Sequence, residues 1–153
     1  MRVSLTGERA ERVVVVGLRL LAATFALVGL LFIVLPDGVL GALDDVGEWL
    51  PLGAFEPAPE TAQQLWLGLG FAYMVVIAGI CLVAQADVVR FRPLLLVLAA
   101  GKVASALAGL GFYLFDANVF AYLLNFVVDG SLVAVALGLW ALAGRVPEAA
   151  APS

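Results

Sequence analysis

A lysine and an aspartate interrupt two otherwise apolar stretches of this sequence. Lys102 lies within Leu94–Phe115, and Asp129 lies within Val119–Ala143. A charge inside a membrane-length apolar run is costly, so it marks a paired partner, a proton or ion route, or a polar ligand. The two stretches read as antiparallel helices joined by a turn at Asp116–Ala117–Asn118. Measured from Ala117, Ser105 and Asp129 stand at equal separations, with Lys102 three residues further along. That offset is about 4.5 Å along a helix axis, which a lysine stem bridges. Helical spacing puts Lys102, Ser105 and Gly109 on one face of the earlier helix, and Tyr122, Asn125 and Asp129 on one face of the later one. The two polar stripes are expected to face each other. Their chemistry is then either a Lys–Asp pair with Ser, Asn and Tyr as interhelical glue, or a proton relay, ion relay or small polar pocket.

Other residues offer less. Arg19 lies about 9 Å into the first apolar run, counted from Val13. Arginine reaches that far back to the membrane interface, so Arg19 reads as an interface anchor, with an inward-facing role as the alternative. The chain has no histidine and a single cysteine, Cys81. An intrachain disulfide, a His-ligated haem and the common zinc sites are thereby excluded, as is most His-dependent hydrolase chemistry. Cys81 reads as a small hydrophobe. Asp37, Asp44, Asp45, Glu48, Glu56 and Glu60 are spread along one segment without a calcium-loop pattern, and read as a solvated acidic face. No metal and no cofactor are expected.

The elements that must position these residues are apolar helices. Hydrophobic residues make up 64% of the chain and charged residues 13%, about half the charged share of a soluble domain. Mean hydropathy is +1.11. A fold of 153 residues has too little interior to hide that much apolar surface, whereas a bilayer accepts it. Four stretches, 13–35, 65–86, 94–115 and 119–143, each reach the ~20 residues needed to cross a ~30 Å hydrocarbon layer. None alternates apolar and polar residues as barrel strands do. Arg2, Arg9, Arg12, Arg90, Arg92 and Arg145 fall in the N-terminal segment, the second connection and the tail. The other two connections hold no Lys or Arg, so both termini are expected to be cytoplasmic, in a cell (inner) membrane. Cleavage after Gly41 or Ala42 as a signal peptide is the rival reading, but the apolar run is too long for one.

The first outer connection, 36–64, is the long one. Val39, Leu43, Val46 and Leu50 recur at helical spacing with Trp49 alongside, which predicts a short amphipathic helix on the membrane surface. Residues 51–59 read as irregular linker, Thr61 to Gln64 as a capping box, and Asn118 as the N-cap of the last helix. Gly101, Ser105 and Gly109, and again Ala100, Ala104 and Ala108, are small residues at the four-residue spacing of close helix packing. The tail, 145–153, reads as disordered. The net charge of −4 and dispersed basic residues argue against a nucleic-acid partner.

The run Gly17-Leu18-Arg19-Leu20-Leu21, with Gly29 and then Pro36, resembles the first helix of DoxX-like bacterial membrane proteins. The resemblance implies a four-helix membrane layout with a long first outer loop. Some members of that group are accessory subunits of quinone-linked oxidoreductase complexes. The resemblance does not carry the Lys102–Ser105 or Tyr122–Gly130 runs.

The expected fold is an all-α integral membrane antiparallel four-helix bundle, with an amphipathic surface helix in its first outer loop. The expected function is a non-enzymatic accessory or scaffold subunit. The alternatives are a small transporter or proton-linked carrier using Lys102 and Asp129, and a redox component binding quinone near Tyr113, Tyr122 or Trp140. The expected partners are the lipid bilayer, another membrane protein and further copies of the chain.

Overall fold

A computed structural model describes residues 2–50, 55–56 and 64–147, with side chains described from Gly7 onward in the first helix and from Trp66 onward in the third. Among the described residues there are five helices: α1 (Arg2–Val34), α2 (Pro36–Trp49), α3 (Gln64–Ala86), α4 (Leu94–Phe115) and α5 (Phe120–Ala143). Four of them, α1, α3, α4 and α5, are long and apolar enough to cross a membrane. Leu20, Val97, Leu107 and Val127 are each more than half exposed around the outside of the bundle. The aqueous phase would not tolerate that coat of large apolar side chains, and hydrocarbon does. The protein is a multi-pass membrane protein with an antiparallel four-helix body.

The body consists of two halves. α1 packs chiefly on α3, and α4 chiefly on α5, while the α1–α5 and α3–α4 contacts are much thinner. One buried core joins the halves: Val14, Leu18 and Ala22 from α1, Ile77 and Cys81 from α3, Leu95 and Leu98 from α4, and Ala136 and Leu139 from α5, with their neighbours. All of these lie toward the end that carries Arg90, Arg92 and Arg145, here the arginine end. Toward the opposite end, named for α2, the close contacts among the four spanning helices run within a half. Gly29 lies so near Met74 that an added Cβ would stand 2.9 Å from it, and Gly109 is pressed on Asn125 in the same way.

The arginine end is clamped. The 87–93 turn closes with the Arg90 amide donating to Asp87 Oδ1 at 3.0 Å, an Asx-type turn bond. Arg92 Nε donates to the Trp140 carbonyl at 2.9 Å, and its guanidinium lies 4.1 Å from the Trp140 ring centroid. A cation at the last turn of α5 also meets the negative end of that helix. At the other end, α2 follows α1 with a Pro in its first turn and lies across the mouth of the bundle onto α5, where Gly47 meets Phe120. Phe55 packs edge-on against Phe120 at 5.3 Å, and the Glu56 amide donates to the Asn118 carbonyl at 2.8 Å.

Several boundaries differ from expectation. α1 begins at Arg2, well before the apolar run, because residues 8–12 are good helix formers and Ala10 continues the buried Val14–Leu18 face. Hydropathy marked where membrane starts, not where the helix starts. The N-cap of α5 is Val119, without a side-chain cap bond, so Asn118 is not the cap. Its backbone instead serves the Glu56 bond. The expected surface helix is α2, with Val39, Leu43 and Leu50 half-buried, but Val46 on the exposed side. Past α5, the Arg145 and Val146 amides close the last turn on the Leu142 and Ala143 carbonyls, and Pro147 rests on Gly7. The proposed Thr61–Gln64 capping box, most of the 51–59 linker and the tail beyond Pro147 lie outside the described residues.

Candidate functional site

α4 and α5 bring Lys102 and Asp129 together. Lys102 Nζ donates to Asp129 Oδ1 at 2.9 Å. Lys102 is 1% exposed and Asp129 6%. Lys102 enters about 12 Å from the start of α4, and Asp129 about 14 Å from the start of α5, so the pair sits in the middle of the bilayer-length helices. Two charges there are stable only together, since each neutralises the other where water is scarce.

Two rings complete the site. The Lys102 ammonium lies 4.4 Å from the Phe25 ring centroid and 5.4 Å from that of Tyr73. Both distances fall within cation–π range, and such contacts strengthen as water leaves. One cation therefore touches α1, α3 and α5 from its own helix α4. The charges belong to one half of the bundle, and the rings belong to the other. The Tyr73 hydroxyl passes over Gly101, where an added Cβ would stand 3.1 Å away. Phe25 is buried, whereas Tyr73 is 36% exposed. Tyr73 is thus the member of the site that reaches the surface.

The neighbouring polar residues form a second contact rather than part of the first. Asn125 Nδ2 donates to the Ser105 carbonyl at 3.0 Å and approaches its hydroxyl at 3.5 Å. Asn125 is exposed, so this bond staples α4 to α5 at their lipid-facing edge. Replacing Asn125 by Ala is expected to lower stability in lipid nanodiscs by less than about 1 kcal/mol, since intramembrane side-chain hydrogen bonds average about 0.6. A thermal unfolding curve checks this. Tyr122 does not join Asp129. It lies about 10 Å further along α5, with its ring 5.6 Å from that of Phe112. Arg19 Nε donates to Gln85 Oε1 at 2.9 Å on the exposed α1–α3 edge, away from the charge pair.

Sequence reasoning missed Phe25 and Tyr73. Aromatic side chains in apolar helices look like filler. Tyr73 did carry a signal, because it stands mid-span rather than in the interfacial belts where membrane tyrosines gather. The aromatic residues considered for a quinone are scattered: Trp140 is engaged by Arg92 at the arginine end, about 27 Å along α5 from Tyr122. Among the described residues, no cluster of three His, Cys, Asp or Glu is placed to hold a metal ion.

Compared with protein-family models, curated proteins and solved structures, the chain matches none.

Proposed function

We propose that this chain is a non-enzymatic accessory or scaffold subunit of a membrane complex, similar in kind to the DoxX-like proteins. The observation that supports this is the closure of the charge pair. Lys102 and Asp129 are buried and bonded to each other, so their charges are spent on holding four helices in one arrangement. What remains for a partner is the apolar flank and the α2 end. The arginine distribution supports a cell (inner) membrane setting with both termini cytoplasmic.

Affinity purification in a mild, lipid-like detergent tests the reading. A membrane protein should co-purify in fixed proportion. A lone monomer with no companion would count against it.

A second reading, a proton-linked carrier, is favoured by one specific feature: all four spanning helices contribute a side chain to a single charge centre. Transporter sites lie at the midplane, where two halves meet. That reading requires pH-driven flux in liposomes above the level of empty vesicles.

A further inference from the structure

The layout of the two halves gives the charge pair a further role. The α4–α5 half holds both charges, and the α1–α3 half meets them with the rings of Phe25 and Tyr73. The shared core lies on the arginine side and reaches the pair at Phe25, its last member in α1. The pair therefore stands at the edge of the packed region, where the halves cease to share a core. Tyr73, over the small residue Gly101, covers it on the thinly packed α3–α4 seam.

We propose that Asp129 is a proton-binding site, and that its protonation releases Lys102 and parts the two halves along the α3–α4 seam. One proton adds to the Asp129 carboxylate, none leaves, and the bond lost is the Lys102–Asp129 hydrogen bond. Lys102 then keeps its charge without a counter-ion in a place that does not tolerate one. Its ammonium must then be hydrated, and the thinly packed α3–α4 seam under Tyr73 is where the halves part to admit water. Among the described residues, three side chains meet the Lys102 ammonium. α1 supplies Phe25, which does not titrate; α3 supplies the Tyr73 phenol; α5 supplies Asp129. On α4 itself, Ser105 is the nearest polar neighbour in sequence and is met by Asn125. Arg19 is held at Gln85 and offers no counter-charge.

This site is the one the carrier reading uses, but the proposal does not require flux. Spin labels at Leu69→Cys in α3 and Leu114→Cys in α4, both exposed positions, report the seam in a Cys81→Ala background. Distances are measured by double electron–electron resonance in nanodiscs, from about pH 8 to about pH 3, a range that passes the ordinary aspartate value of about 3.9. The expected result is a shift to longer separation on acidification, and the same shift already at high pH in Asp129→Asn. Lys102→Met/Asp129→Leu should show no pH response. A distribution unmoved by pH in the otherwise native protein would overturn the proposal, whatever a flux assay shows. A shift without flux would leave the proton site standing and remove the carrier.

Discussion

Lys102→Met will lower the stability of this protein by roughly 3–5 kcal/mol, the cost of breaking a buried ion pair by removing one partner. The methionine keeps most of the lysine stem, so packing loss contributes little. The penalty comes from Asp129, left ionised or forced to take a proton at 6% exposure. Asp129→Leu should cost a similar amount for the opposite reason, because it strands the ammonium between Phe25 and Tyr73. Cation–π contacts with two rings offset only part of that loss, at about 2 kcal/mol for a desolvated contact. Chemical or thermal unfolding in nanodiscs reads both effects.

The second large effect is expected at Gly109. A Cβ there would stand 2.9 Å from the Tyr122 carbonyl oxygen and 2.8 Å from Asn125 Nδ2. The amide could swing aside, but the carbonyl is backbone and cannot. Gly109→Ala therefore pushes α4 and α5 apart, at a cost of about 1–3 kcal/mol for an overpacked contact. The strain falls on the Asn125–Ser105 bond first, and then on the Lys102–Asp129 pair about 10 Å away. Gly111 is the control on the same helix, because its added Cβ meets nothing within 4 Å. Gly111→Ala should be neutral or slightly stabilising, given the better helix propensity of alanine. Melting curves of the two variants side by side check the pair. Equal behaviour would mean that the α4–α5 approach at Gly109 is looser than a 2.9 Å Cβ–carbonyl contact.

The same contrast shows what could be read in the sequence. Gly101–Ser105–Gly109 and Ala100–Ala104–Ala108 are equivalent as spacing. Structure separates them: Gly109 is buried at α5 and Gly101 lies under Tyr73, while Ala100, Ala104 and Ala108 face outward. Spacing says that a helix can be approached closely, not from which side. The spanning helices were legible because a bilayer imposes a minimum apolar length. α4 runs over the expected Leu94–Phe115 and α3 differs by one residue. The register of Lys102 against Asp129 was also legible, because a tight turn fixes an antiparallel hairpin and the rise per residue does the rest. Contacts between hairpins had no such constraint. Phe25 and Tyr73 come from elements linked to α4 only through tertiary packing, so nothing local announced them. Tyr122 shares a face with Asp129 but not a level, since residues seven apart are two turns apart. α1 extends beyond its apolar run because helix formation and membrane burial are separate requirements.

One measurement bears most directly on the central claim, that Lys102 and Asp129 act as one neutral unit holding four helices together. It is the unfolding stability of Lys102→Met/Asp129→Leu, set beside the two single variants and the parent in the same nanodiscs. Removing both charges with side chains of similar volume is often neutral or stabilising. The double variant is therefore predicted to regain most of the loss, leaving a coupling of several kcal/mol. If the losses simply add, or if each single variant is tolerated, the two charges are not a pair in the working protein and do not hold the four helices together.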